Sequence, residues 1–461
     1  MNPDPRRLRE PFSPASLVVS TLVLACGIAI VWNRTPSADV LWFLDVARRV
    51  ATGQALYRDI LEVNPPLIIW LLLPFTFVAH SLAAFLATAV LVMVISSVMT
   101  TRVLGGRWTL PLMLTVLLIV PIGWFGQREH LAIAMIFPWL VATSGRSTWP
   151  SGVLAGVGFG IKPHLLLAFL LVILFRRRLD AGSRAVLLTL IVYAVAVAVL
   201  APGYVSLARS LGPDYWGYQR VALPDLLWKN PCAWIAVLGP AAWLVVRSRT
   251  MERAQGDGLA LATLGFLAGA VAQSKGWNYH YAPAITSSLF LLGMVAAQPM
   301  NPAVLLTRFV SAAILFGFVQ QAWRGYRSAS TNPQVVGDRT YQRLVRELGD
   351  AGHPNSLLAI YRHSGQAFAL TTFGGARFVS PFPMLWILDS PGWEARLPWW
   401  TAQIVRAARR DPPDLILFSR DSVPGGPDCA ALMTRDPAMA ALLAGYESRP
   451  DAGGYRVFVA R

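Results

Sequence analysis

The sequence predicts an all-α membrane bundle of about eleven hydrophobic helices, followed by a soluble α/β domain of about 140 residues. The 461 residues are 55% hydrophobic and only 14% charged, whereas a soluble domain carries about 25% charged residues. Runs such as Leu82–Val98, Leu110–Phe125 and Ala185–Ala201 hold no charged side chain and approach the ~20 residues that cross ~30 Å of hydrocarbon. The net charge of +16 sits in short basic clusters between those runs, as expected of loops on one side of a membrane. That distribution reports topology and gives no support for nucleic-acid binding. The three cysteines, Cys26, Cys232 and Cys429, form neither a disulfide framework nor a zinc spacing.

The candidate spans are 15–32, 81–101, 108–125, 130–145, 149–161, 163–177, 183–201, 231–247, 258–274, 281–297 and 303–320. Arg6, Arg7 and Arg9 place the N-terminus inside, and no small-residue cleavage pattern follows the first run, so it reads as an uncleaved signal anchor. Alternate counting then puts Arg102, Arg107, Arg146, Arg176–Arg178, Arg184, Arg247, Arg249, Arg253 and Arg308 on that same side, as the positive-inside rule demands. Pro65–Ala79 is apolar but short and opens on Pro65-Pro66. Counting it as a span would turn every later cluster outward, so it reads as a helix lying in, or dipping into, the outer interface.

The expected division is a membrane domain at 1–320, with an outer-face loop at 33–80, and an extracytoplasmic domain at 321–461. Within the latter, Thr340–Ala351 and Trp399–Arg409 look helical, and Ser356–Tyr361, Asp414–Phe418 and Tyr455–Val459 look like strands.

Polar residues on the outer side carry the chemistry. In the first outer loop, residues 39–51 fit an amphipathic helix with Leu41, Leu44, Ala47 and Val50 or Ala51 on one side, the pattern of a helix on a membrane surface. Asp39 lies at or near its start, where a carboxylate caps exposed N–H groups. The second outer loop sets Gln127, Arg128, Glu129 and His130 between apolar runs. Charges there cost several kcal/mol in lipid and must face water, a cavity or a partner. Lys162-Pro163-His164 interrupts another apolar stretch, and Gln273–Pro283 gathers Lys275, Trp277, Tyr279, His280 and Tyr281. An interfacial aromatic belt explains the Trp and Tyr of that run but explains Lys275 and His280 less well. Carboxylates and cations on one face of a bundle suit a reaction with a phosphate-bearing lipid; they also suit an ion- or proton-coupled transporter.

These motifs resemble the C superfamily of glycosyltransferases, the polyprenyl-phosphate-sugar-dependent membrane enzymes, and within it the mannosyltransferase and aminoarabinose-transferase-like families. Asp39, Ala47-Arg48, Gly53 and Pro65-Pro66 stand in the family's order, and Gly53–Asp59 followed by Asn64–Leu67 resembles a bacterial variant of its first loop. Glu129 matches an acidic residue before the fourth span, Lys162 a Lys ending the fifth, and His280-Tyr281-Ala282-Pro283 a Tyr-x-x-Pro step. Two departures stand out. Val40 replaces a frequent second acidic residue, and Asn64 replaces a frequent Lys associated with donor phosphate; Lys162, Arg128, His164 and Lys275 are the candidates to take over that contact.

The resemblance implies an inverting glycosyltransferase in the bacterial cytoplasmic (inner) membrane, working at its outer face. It would move a sugar from a polyprenyl-phosphate donor to a glycan, lipid or protein acceptor. Asp39 would be the general base on the acceptor hydroxyl, and Glu129 would order the acceptor, position Arg128 or bind a cation. Arg128, Lys162, His164, Lys275, His280, Tyr281, Tyr57, Asp59 and Asn64 are the candidates for donor phosphate or substrate. A divalent cation, if one is used, would sit on Asp39 and Glu129, although a lone Asp–Glu pair is weak grounds for one. The alternative is a transporter or flippase of a lipid-linked or small polar substrate. Transporters usually carry internal repeats and broken helices at mid-membrane, and no repeat is visible.

Overall fold

The computed structural model describes residues 12–32, 36–142, 147–246, 251–299, 301–328, 338–362, 365–421 and 427–461. Of the basic residues used to orient the bundle, Arg6, Arg7, Arg9, Arg146, Arg247 and Arg249 lie outside them. The chain folds into two compact units that interleave in sequence. One comprises Met1–Arg34, Ala83–Ala196 and Val221–Arg327; the other comprises Thr35–Leu82, Val197–Arg220 and Ser328–Arg461. In packing terms the 35–82 segment therefore goes with the C-terminal tail rather than with the helices that flank it.

Helices follow in the order α1 (Pro14–Trp32), α2 (Ala38–Ala51), α3 (Leu67–Leu72), α4 (Ser81–Leu104), α5 (Thr109–Leu114), α6 (Arg128–Val141), α7 (Trp149–Ile161), α8 (Leu166–Arg176), α9 (Ala181–Leu200), α10 (Gly203–Gly217), α11 (Pro231–Val246), α12 (Arg253–Ala272), α13 (Ala282–Ala296) and α14 (Pro302–Ser328). Among the described residues, every span read from the sequence coincides with a helical segment. Among the described residues four of these helices, α1, α4, α9 and α12, are by length and composition able to cross a membrane, and the other apolar helices of the bundle are shorter. On α9 the large apolar side chains Leu188, Ile191, Val192, Val195, Val199 and Leu200 are exposed, an arrangement that only lipid makes favourable.

The 108–125 run is the one that breaks. After α5 it passes through a π-helical turn at Thr115–Ile119 and a 3-10 turn at Val120–Trp124. Proline explains this: Pro121 has no N–H to give to the Leu117 carbonyl, and the Val120 amide reaches back to Thr115 O instead. The orphaned Leu117 carbonyl is met by His130, whose Nε2 lies 2.8 Å away while its Nδ1 accepts from the Gly126 amide at 3.2 Å. That pair of partners fixes the tautomer with the proton on Nε2. His130 is thus a substitute backbone donor in a fully buried site.

Close helix contacts depend on small residues. A Cβ on Gly158 of α7 would meet Ala132 O of α6 at 2.7 Å, and one on Gly265 of α12 would meet Ala168 Cα of α8 at 2.5 Å. Arg176, at the end of α8, donates to the Leu140 and Ala142 carbonyls at 3.0 and 2.6 Å and lies over the Trp139 ring. A cation there satisfies the last turn of α6 and matches its dipole.

In the second unit the tail forms a five-stranded sheet of order β2-β1-β3-β5-β4, from β1 (Ser356–Ile360), β2 (Arg377–Phe378), β3 (Leu415–Ser419), β4 (Tyr446–Ala452) and β5 (Tyr455–Ala460). The β1–β2 and β1–β3 pairs are parallel, and β5 runs antiparallel to β3 and β4. Helices α15 (Asp338–Leu348), α16 (Phe368–Thr372), α17 (Trp393–Arg410), α18 (Cys429–Arg435) and α19 (Pro437–Leu443) complete the domain.

Helix α2 departs from its surface-lying expectation. Nine of its 14 residues are buried, because both of its faces are covered. It packs on α3 and the 3-10 turn Leu73–Phe77, and its Trp42 meets Phe368 and Phe378 of the tail edge-on at 6.3 and 6.1 Å. Arg49 donates to Ser380 O at 2.8 Å and to Gln54 Oε1 at 2.9 Å, and the Leu61 amide donates to Pro381 O at 2.9 Å. Residues 67–77, broken at Pro74, are too short to span the bilayer and leave Phe77 80% exposed, in line with an interfacial segment.

Two tests follow from this packing. His130→Ala strands a buried carbonyl and should cost about 1–3 kcal/mol of stability, with His130→Gln recovering part of it; equal detergent unfolding midpoints for all three proteins would contradict the assignment. Asp45, buried on α2 with Arg48 and Arg49 no nearer than 3.8 and 3.9 Å, has its carboxyl pushed up to about 6 by burial, against the pull of Arg49 and then Arg48. The folded state then holds the proton more tightly than the unfolded one. Its contribution is complete below the unfolded value and is lost as pH rises through about 6. Wild-type melting temperature should therefore fall relative to Asp45→Asn on going from acid to neutral pH; parallel pH profiles would contradict this.

Candidate functional site

Within the helix bundle, one buried cluster gathers most of the charged residues singled out from the sequence. Gly126, with φ +77°, turns the chain into α6. This puts Glu129 in the first helical turn, where the dipole favours a carboxylate. Lys162 ends α7 because Pro163 follows it and pushes its backbone to φ −138°, ψ 88°. Its Nζ lies 2.7 Å from Glu129 Oε1, with both side chains almost fully buried. His280, in the 3-10 turn Asn278–Tyr281, brings Nε2 to 3.6 Å from the same oxygen.

Aromatic and polar neighbours hold this arrangement. The His280 ring stands edge-on to Trp277 and Tyr279 at 5.1 and 4.7 Å, and Lys275 Nζ lies 6.0 Å from the Trp277 ring centre. His164 faces His280 at 6.4 Å between ring centres, and its Nε2 is 3.0 Å from Gln273 Nε2. An amide nitrogen can only donate, so this imidazole nitrogen accepts. The charges of Lys162 and Arg128 act on Glu129, and those of Lys162, Arg128 and Lys275 act on His280. Two cations thus act on one carboxylate in a dry setting, with a third acting on the neighbouring imidazole, which makes the cluster an anion attractor. Glu129 Oε2 and His280 Nδ1, both buried, have no hydrogen-bond partner among the described residues. Tyr281 serves another purpose: its hydroxyl donates to Leu226 O at 3.1 Å and ties down the segment before α11.

The second unit holds Asp39, Tyr57, Asp59 and Asn64. Asp39 is the second residue of α2, and the cap position belongs to Ser37, so Asp39 supports the helix start only as a first-turn charge. Its carboxylate acts on Tyr218, whose hydroxyl is pushed above the usual phenol range by burial first, then by Asp389, Tyr215 and Asp39. The other three residues bind their own loop. Tyr57, at φ +71°, lies tilted against the Tyr204 ring at 5.2 Å and donates to Asn64 O at 2.9 Å. Asn64 donates through its side chain and backbone to Glu62 Oε1, at 2.5 and 2.8 Å, while Glu62 Oε2 accepts from Trp42 Nε1 at 2.5 Å. Burial alone would raise the Asp59 carboxyl, but hydrogen bonds from Arg58, the Ala55 amide and Arg410 hold it down at about 2.

Sequence reasoning gave no role to Glu62, the hub of that loop, or to Tyr218, Gln219, Arg362 and Asp389. Glu62 stands in the loop that drew attention, and a lone acidic residue before Asn64-Pro65-Pro66 was its only signal. The other four come from distant stretches without a motif. Among the described residues no three His, Cys, Asp or Glu side chains converge as a metal site.

No family model matches this chain, and no curated protein does. Two solved structures do. ArnT from Cupriavidus metallidurans bound to undecaprenyl phosphate is 11% identical, covers 97% of this chain and 98% of its own, and superposes with a TM-score of 0.56. The apo state of ArnT from the same organism gives 12% identity, the same coverage and a TM-score of 0.54. The resemblance to the C-superfamily glycosyltransferases drawn from the sequence is thereby borne out at the level of fold: the chain is a multi-pass membrane protein folded as ArnT is.

Proposed function

We propose that the protein is an inverting glycosyltransferase of the bacterial cytoplasmic membrane that takes its sugar from a polyprenyl-phosphate donor. The observation that carries this reading is the buried Glu129–Lys162–His280 cluster with Arg128 and Lys275 around it. The ArnT fold, seen in that protein with undecaprenyl phosphate bound, supports it.

Chemically, the cluster suits a departing lipid phosphate. Lys162, Arg128 and Lys275 supply the positive charge that stabilises the leaving group as the glycosidic bond breaks. Glu129 holds the Lys162 ammonium in one position, so little reorganisation is left for the reaction itself. His280, fixed by Trp277 and Tyr279, adds a donor or acceptor in the same cluster. Asp39 is assigned as general base: it takes the proton of the acceptor hydroxyl while that oxygen attacks the anomeric carbon, and the phosphate leaves with the bonding pair. Attack opposite the leaving group inverts the anomeric centre. Phosphate is a good leaving group and needs no strong acid.

Tyr57, Asp59 and Asn64 enter this scheme as scaffold, because their polar groups hold the first loop in shape. The acceptor is a hydroxyl-bearing lipid, glycan or protein. The tail, packed with the first loop in one unit, is assigned to acceptor binding.

Purified protein should transfer labelled sugar from a polyprenyl-phosphate donor. Asp39→Asn should lower kcat by about 100-fold or more, the usual worth of a general base, while leaving the donor KM near wild type. Lys162→Met should raise the donor KM by about tenfold or more, the loss of one charge-assisted contact. Full activity in Asp39→Asn would remove that residue from the mechanism. Solute uptake into proteoliposomes with no sugar transfer would replace the whole reading by transport.

A further inference from the structure

The proposed reaction leaves His164 without a part, although its ring stands in the bundle cluster. Helix α12 grips that ring along one edge. A Cβ on Gly269 would meet His164 Cδ2 at 3.3 Å and His164 O at 2.9 Å, and Gln273 Nε2 lies 3.0 Å from His164 Nε2. Gly269 and Gln273 are four positions apart. Gln273, the C-cap of α12, keeps helical backbone angles of −70° and −19°, so both residues face the same neighbour. Cδ2 and Nε2 are adjacent ring atoms. The edge that carries Nδ1 is therefore turned away from α12.

The amide nitrogen can only donate, which leaves His164 Nε2 as acceptor and the ring neutral with its proton on Nδ1. The side chain is half-buried, its ring centre is 6.4 Å from that of His280, and the charges of Lys162, Glu129 and Arg128 reach it. The bland reading is a tie between α12 and the Pro163–Leu165 turn. Close approach already makes that contact, with Gly269 against His164 O and Gly265 against Ala168 Cα. A tie is also indifferent to which nitrogen carries the hydrogen. A leaving phosphate is not: an N–H donates to it and keeps its proton, whereas the other tautomer would turn a lone pair on it. Lys162 and Arg128 supply charge, and a neutral donor adds a hydrogen bond without adding to the repulsion between them. We propose that Gln273 is a positioning residue that fixes His164 as the Nδ1–H tautomer, so that this imidazole donates a hydrogen bond to the departing lipid phosphate. This deepens the glycosyltransferase reading and rests on it.

Solid-state NMR of the full-length protein in nanodiscs, with nitrogen-labelled histidine, tests the tautomer. The His164 signals are identified by their loss in His164→Gln. Wild type should show a protonated Nδ1 and a bare Nε2 from about pH 6 to about pH 8. Gln273→Glu is nearly isosteric, but its carboxylate accepts. It should move the proton to Nε2 and lower kcat by about tenfold or more, with donor KM and melting temperature close to wild type. Acid returns a proton to Nδ1 by making the imidazolium, so the ratio of variant to wild-type kcat should rise as pH falls from about 8 to about 6. Gln273→Leu removes the lock without reversing it, should give mixed tautomers and a smaller loss, and decides the matter if Gln273→Glu does not fold. A wild-type ring protonated on Nε2, full activity in Gln273→Glu and Gln273→Leu, or a kcat ratio flat with pH overturns the proposal. Sugar transfer by wild type with the opposite tautomer overturns the role of Gln273 alone. The expected tautomer with no transfer retires the glycosyltransferase reading and the phosphate contact with it.

Discussion

An unsatisfied polar group in a helix bundle surrounded by hydrocarbon costs several kcal/mol, and this constraint accounts for most of what is unusual in the membrane part. Pro121 removes one backbone donor, and His130 is the response: an imidazole placed to meet the Leu117 carbonyl. The last turn of α6 leaves its carbonyls open, and Arg176 meets two of them closely while its plane lies over Trp139. Both side chains look functional when read as charged or titratable residues in apolar sequence. Both are explained by backbone groups that would otherwise go without partners. Glu129, Lys162 and His280 differ, because they turn toward each other and answer no backbone defect.

The second unit is organised around α2. Its sequence is amphipathic by pattern, yet Asp45 and Arg49 on the polar side are as buried as Leu41 and Leu44. The tail supplies what makes that tolerable, with Ser380 O for Arg49 and the Phe368 and Phe378 rings for Trp42. Trp42 in turn donates to Glu62, which holds Asn64, whose carbonyl accepts from Tyr57. One run of contacts thus links the tail, the helix that bears Asp39 and the loop ending at Pro65-Pro66.

What the sequence made legible follows from which signals are local. Apolar runs marked every helix of the bundle, and short strand-like runs marked β1, β3 and β5. Strand β4 escaped because Glu447, Arg449, Pro450 and Asp451 read as loop; it exists because Gly453-Gly454, at φ +61° and +82°, closes a tight hairpin with β5. The burial of α2 escaped because nothing in residues 39–51 announces a partner more than three hundred positions away, whereas Arg49 meets Ser380 in the fold. Glu129 and Lys162 were visible because a charge in an apolar run has to be explained. Tyr281 and Tyr57 drew attention through the family resemblance; in the fold their hydroxyls donate to backbone carbonyls, and residue type alone does not say whether a hydroxyl faces a substrate or a peptide group.

The balance of charge in the bundle cluster bears on how such a site is kept before substrate arrives. Lys162, Arg128 and Lys275 repel one another, and an apolar surrounding magnifies that repulsion. A carboxylate among them offsets it. Glu129 is that group: it contacts Lys162, lies near His280, and sits where the α6 dipole favours a negative charge. One carboxylate set against Lys162, Arg128 and Lys275 leaves the cluster with net positive charge. An arrangement of this kind is stable enough to persist and still positive enough to draw in an anion. A fully paired network would be more stable and would have less to offer a phosphate.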